Sequence, residues 1–205
     1  MHATNASRAP SSPTRRARVV VDEARVLFGA SYAVFSPCGR YRYSLVRRDG
    51  PGPLLRVVGL NPSTADALVD DPTVLRCRRR AGALGLAGLC MQNLFGLRSS
   101  DPRALVGVAD PVGPGNDEWL EEPGEDIALT LVAWGSGSAL VRRRAEEVLA
   151  RIGADGLVCL GTTADGMPRH PLYVSYAVAP TAWSRPPSSV PSAPAAAHGH
   201  GDKDG

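Results

Sequence analysis

The segment Asn61-Pro62-Ser63-Thr64-Ala65-Asp66 gathers an amide, two hydroxyls and a carboxylate directly after the apolar run Leu54-Leu55-Arg56-Val57-Val58-Gly59-Leu60. Such groups at a strand exit can orient a water or read the edge of a heterocycle by hydrogen bonds. They serve equally as a strand-to-helix turn in which Asn61 and Ser63 satisfy backbone groups. A second polar segment, Gly161-Thr162-Thr163-Ala164-Asp165-Gly166-Met167-Pro168-Arg169-His170-Pro171, offers His170 as a proton donor or electrophile and Arg169 as an anion clamp. A third, Asn93-Leu94-Phe95-Gly96-Leu97-Arg98, combines an amide, an aromatic face and a cation suited to hydrogen-bonding and stacking a base. Leu94 and Phe95 fit core packing as well.

Asp66, Asp70 and Asp71 form an acidic cluster of the kind that holds Mg²⁺, although Asp71 before Pro72 reads better as a helix cap. No metal and no cofactor is expected. There is no G-x-x-x-x-G-K-[ST] phosphate loop, no G-x-G-x-x-G fingerprint, no G-x-S-x-G nucleophile elbow and no H-E-x-x-H zinc pair. Cys38, Cys77, Cys90 and Cys159 form no C-x-x-C pair, so neither a zinc ribbon nor a dithiol motif is signalled, and a reducing cytosol suits them.

The elements that must position these groups follow from pattern. Tyr32–Phe35 and Tyr41–Val46 flank Ser36-Pro37-Cys38-Gly39 as an antiparallel hairpin. The run from Leu54 to Leu60 lacks polar alternation, as expected of a strand covered on both faces. A helix from Asp71 to Leu84, a strand at Leu89–Asn93, short helices after Ser100 and around Glu118–Glu121, a strand at Ala128–Trp134, a helix at Ala139–Ile152 and a strand at Leu157–Leu160 complete the series. Strands alternating with helices predict an α/β fold with a parallel sheet. Ligands of such sheets bind beyond the C-terminal ends of the strands. That rule points to four segments at one edge: Asn61–Asp71, Asn93–Asp101, Trp134–Ser138 and Gly161–Tyr173.

The 205-residue length suits one domain, predicted over residues 19–183. A Ser/Pro/Arg-rich arm over residues 1–18 and a Pro/Ala-rich tail over residues 184–205, ending with His198 and His200, are expected to be disordered. Neither a signal-peptide core nor a membrane-spanning stretch is present, which predicts a cytoplasmic protein with no membrane partner. A net charge of +3 permits nucleic acid as a partner without demanding it.

Several blocks carry a family resemblance: Ala33-Val34-Phe35-Ser36-Pro37-Cys38-Gly39-Arg40-Tyr41-Arg42-Tyr43, Gly59 to Asp66, Asp70-Asp71-Pro72-Thr73, Asn93-Leu94-Phe95, Ala109-Asp110-Pro111-Val112-Gly113-Pro114 and Pro168 to Tyr173. In this order, over about Ala33 to Trp183, they resemble the bacterial and phage family named domain of unknown function 1643. Gly59-Leu60-Asn61-Pro62 also looks like the Gly-x-Asn-Pro loop of mismatch-specific uracil-DNA glycosylase-like proteins, and His170-Pro171 is similar to the His-Pro loop of several of their branches. Ser63 stands where that branch has glycine, and Leu172-Tyr173 replaces its serine-bearing insertion loop.

This second resemblance implies a three-layer αβα fold with a central, mainly parallel four-stranded sheet plus an N-terminal β-hairpin. It implies that Asn61 positions a water at a sugar carbon while His170 stabilises the departing base, with Asn93 or Phe95 reading or stacking it. Ser63, Thr64, Asp66, Arg98 and Arg169 complete the expected substrate-binding set. The expected partner is a nucleobase, nucleotide or nucleic acid, and the expected activity hydrolysis of an N-glycosidic bond. A non-catalytic nucleotide- or nucleic-acid-binding module and a metal-assisted phosphohydrolase built on Asp66, Asp70 and Asp71 stand as alternatives.

Overall fold

The turn Ser36-Pro37-Cys38-Gly39 needs a left-handed residue to reverse the chain, and Gly39 supplies it at φ +69°. On either side, β2 (Gly29–Phe35) and β3 (Arg42–Arg48) pair antiparallel, with a register shift between Val34 and Phe35. The hairpin is as the sequence predicts; its place in the molecule is not. In the computed structural model, which describes residues 19–26 and 29–184, the hairpin is built into a single eight-stranded sheet. The arm over residues 1–18 and the tail from residue 185 lie outside the described residues.

The other strands are β1 (Val20–Val26), β4 (Leu54–Gly59), β5 (Gly88–Asn93), β6 (Ile127–Val132), β7 (Leu157–Cys159) and β8 (Thr181–Ala182), in the spatial order β1-β2-β3-β5-β4-β6-β7-β8. Pairing is parallel between β5 and β4, β4 and β6, and β6 and β7, and antiparallel at the four remaining contacts. The expectation of a central, mainly parallel four-stranded sheet with an appended hairpin is therefore corrected to a mixed sheet in which antiparallel contacts are the majority. The cause is β3. All its residues but Arg48 are buried, and Leu45 to Arg48 pair with Met91 to Gly88 of β5, so the hairpin continues the sheet.

Three α-helices cover the sheet: α1 (Pro72–Ala83), α2 (Asn116–Glu121) and α3 (Ala139–Ile152). Asp71 caps α1 by accepting from the backbone N–H groups of Thr73 and Val74, and Pro72 takes the position where a missing N–H costs nothing. Alternation along the strands assigns the faces. Leu55, Val57, Leu131 and Ala133 pack with Val74, Cys77 and Ala81 of α1, whereas Val58, Val132 and Trp134 pack with Trp119 and Leu120 of α2 and Val141 and Val148 of α3. All six residues of β4 are buried, which explains its lack of polar alternation, and the one charged residue, Arg56, is paired inside by Gln92 and the Leu120 carbonyl. No helix among the described residues is long and apolar enough to cross a membrane.

Candidate functional site

The chain leaves β4 through α1 to reach β5 on one side, then crosses by α2 to reach β6 on the other, so the loops after β4 diverge from both neighbours. A crevice at such a reversal is the usual ligand position in sheets with parallel strands. Here it holds a cleft of about 620 Å³, within the range of small-molecule sites. Its walls come from the exits of β4, β5, β6 and β7, from the first turn of α1 and from Arg42 of β3. Backbone pairing runs on past the strand ends, Leu94 N–H to Gly59 O at 2.9 Å and Phe95 N–H to Leu60 O at 3.0 Å, which carries the order of the sheet into these loops.

Asn93 ends β5 opposite Gly59 and is only 2% exposed. Its Nδ2 is buried with no hydrogen-bond partner, and its Oδ1 accepts no bond among the described residues. The amide fits because residue 59 is glycine: a Cβ there would lie 2.9 Å from Oδ1. Trp134, 1% exposed in the cleft wall, likewise has an indole N–H without a partner while its ring meets Trp183 edge-on at 5.6 Å. Buried donors left unpaired cost about 1–3 kcal/mol each, and both of these residues line the one cleft.

His170 is half-buried in the same wall. The Leu172 N–H donates to its Nδ1 at 3.3 Å, which fixes the proton of the neutral ring on Nε2. Burial pushes its pKa below the ordinary 6.5, and the Asp71 carboxylate opposes this more weakly. Nε2–H is the atom left to donate. Arg169 lies beside it, exposed, with its backbone N–H bonded to Gly161 O at 2.9 Å.

Asn61 lines the cleft, but its amide nitrogen is occupied: Nδ2 donates to Ser99 O at 2.8 Å and Pro62 O at 3.1 Å. The residue ties the β4 exit to the segment after β5, leaving Oδ1 as its chemical end. Ser63 and Thr64 also line the cleft. Asp66 does not; its Oδ1 accepts from the N–H groups of Leu68 and Val69, and these bonds hold its carboxyl below the usual range. Phe95 is 1% exposed in the core on the α2–α3 face, and Arg98 stacks over Phe35 at 4.9 Å and donates to Gly39 O. The structure thus brings Asn61, Ser63, Thr64, Asn93, Arg169 and His170 together, and places Asp66, Phe95 and Arg98 elsewhere. Asp70 pairs with Arg47 at 2.6 Å and Asp71 caps α1, and no three acidic, histidine or cysteine residues among those described are grouped to hold a metal.

Trp134, the first residue of the strand-exit segment Trp134–Ser138, lines the cleft, and so does Arg42, which its sequence position did not single out. Arg42 is 1% exposed, its Nη1 donates to Ala65 O at 2.6 Å, and its Nε has no partner. Burial lowers its pKa to about 10, against the pull of Asp71. The available signal was the arginine set between Tyr41 and Tyr43 at the start of a buried strand that also carries Ser44 and Arg47. Trp134 carried the weaker signal of an aromatic with a polar handle at the end of an apolar run.

No significant match to the chain was found among curated proteins or among solved structures. A family model covers residues 42–172, from the first residue of β3 to Leu172 beside His170, and so takes in every strand exit that walls the cleft. On that match the chain belongs to the family described as Protein of unknown function (DUF1643).

Proposed function

We propose that the cleft binds a nucleobase, free or as part of a nucleotide, with Asn93 reading its hydrogen-bonding edge. The observation that carries this reading is the unpaired Asn93 carboxamide, buried at the end of β5. A carboxamide sets one donor beside one acceptor, the complement of the amide-like edges of bases and the pairing by which asparagine recognises adenine. Trp134 adds an indole N–H, and His170 adds Nε2–H with its ring neutral at physiological pH. Ser63, Thr64 and Arg169 in the wall give hydroxyls and a cation for a sugar or phosphate.

The test is calorimetric titration of the protein with free bases, nucleosides and nucleoside monophosphates, repeated on Asn93→Leu. Saturable binding to at least one of them that Asn93→Leu weakens by about 10-fold or more supports the reading, since a bidentate amide contact is worth about 1–3 kcal/mol. Binding that survives the substitution unchanged contradicts it.

The tautomer of His170 favours a second, chemical reading, hydrolysis of an N-glycosidic bond. Water held by Asn61 Oδ1 would attack the sugar carbon as the C–N bond breaks, its electron pair leaving with the base. His170 Nε2–H would stabilise the negative charge on the base, and the proton released by the water would end on the base nitrogen. Base release lost in His170→Ala while binding is retained tests this reading; release unaffected by that change rejects it.

A further inference from the structure

Arginines crowd both long helices, yet their charges are handled differently. On α3, Arg142 pairs with Asp165 at 3.0 Å, Arg143 with Glu147 at 3.5 Å, Arg144 with Asp117 and Glu147, and Arg151 with Asp117 and Glu121. On α1, only Arg78 is matched, by Asp49 and Asp70. Arg76, Arg79 and Arg80 make no ion pair among the described residues. Arg76 and Arg80 donate instead to the carbonyls of Pro171, Val174, Ser175 and Val178, which hold the segment after His170 against α1 but leave the charge uncancelled.

The same face carries exposed aromatic rings. Tyr176, 46% exposed, has the guanidinium carbons of Arg76, Arg80 and Arg79 at 4.5, 5.4 and 6.0 Å from its ring centre. Tyr173 is 80% exposed, lines the cleft mouth and lies 5.7 Å, ring to ring, from His170. Arg169, exposed and without an ion pair among the described residues, stands on the same rim.

Resting on the base-binding reading above, we propose that the base entering the cleft belongs to a single-stranded nucleic acid whose flanking nucleotides lie along α1 and residues 169–178. Arg80 is buried, but the uncancelled guanidiniums of exposed Arg79 and half-buried Arg76 attract phosphates, and exposed rings beside them stack bases of any sequence, the combination by which single strands are held. An acidic protein surface would meet the charge but leave Tyr173, Tyr176 and the base-sized cleft without a role. The face is also set so that a strand crossing it passes the cleft mouth at Tyr173.

The experiment is fluorescence anisotropy of the full chain with a labelled mixed-sequence DNA single strand of about 12 nucleotides, a length within known single-strand site sizes. Binding should weaken steadily as salt rises. Arg79→Glu should lower affinity by about 10-fold and flatten the salt slope by about one contact. Tyr173→Ala should lower affinity by about 10-fold, as loss of one stacked base does. Arg143→Ala, on the neutralised α3 face, should change nothing. Retained nucleoside monophosphate binding by Arg79→Glu shows that this variant is folded.

If monophosphates bind and the strand does not, or if it binds Arg79→Glu and Tyr173→Ala as well as the native chain, the inference is overturned and base binding stands. A duplex of the same sequence bound as tightly overturns the single-strand assignment. Binding of neither monophosphates nor the strand overturns both readings.

Discussion

Two asparagines at adjacent strand ends are bonded differently, in a way their residue type does not announce. Asn61 follows the buried strand and sits in the most conspicuous polar turn, yet its amide nitrogen is used to hold the turn. Asn93, in a less conspicuous position, has nothing to hold. Strand-exit position is readable from a sequence because apolar runs end visibly; which hydrogen-bonding atoms are already used depends on distant carbonyls such as that of Ser99. If Asn93 is kept for a ligand, Asn93→Leu should leave the thermal midpoint unchanged or raise it, because an unsatisfied buried donor is removed. A drop of several degrees in a melting scan would instead make Asn93 a structural residue.

His170 allows a pH test at the same scale. Its folded pKa is depressed, so its stabilising contribution is complete above its ordinary value of 6.5 and is lost as pH falls toward the lower folded value. Protonation also removes the acceptor for the Leu172 N–H. Urea unfolding at about pH 7.5 and about pH 5 should show the native chain losing more stability than His170→Gln over that interval. Equal losses would mean that the ring titrates as it does in the unfolded chain.

At the scale of elements, the loop from Asn61 to Asp71 is held by the strand beside β5. Arg42 reaches Ala65 O, while Arg47 pairs with Asp70 and donates to Asp66 O. Both arginines are buried, so β3 both completes the sheet and fixes the wall of the cleft. Arg47→Met should therefore cost about 3–5 kcal/mol by chemical denaturation, because it leaves a nearly buried carboxylate and a carbonyl without their main partner. Arg47→Met combined with Asp70→Asn should cost less than the sum of the two single changes; strict additivity would show that the pair is not coupled.

The start of α1 was legible because Asp71-Pro72 writes its cap and first turn into the chain, and Ala139–Ile152 was legible from its two-sided pattern. The role of β3 was not, since alternation marks a strand as buried without naming the strand beside it. Val20–Val26 and Thr181–Ala182 were missed for a related reason: one carries Asp22 and Glu23 at its exposed positions, and the other spans only two residues.

Across the whole molecule, the pairing of distant strands decides what kind of sheet forms. Local patterns of strand and helix suggested parallel crossovers, and three such contacts do occur at the centre. The antiparallel contacts that outnumber them join segments whose mutual attraction is spread over many weak side-chain contacts, so no short motif marks them. The result is nonetheless a cleft at the predicted edge, because β4, β5, β6 and β7 all release their chains toward it. Charge is organised on the same scale, cancelled over α3 and left open over α1 beside that cleft.

The most direct test of the central claim is a crystal structure of the protein soaked with the nucleoside monophosphate that binds best in solution. The account expects the base in the cleft with its edge within hydrogen-bond distance of both ends of the Asn93 carboxamide. Density for the base elsewhere, with an ordered water satisfying Asn93 in its place, would contradict it.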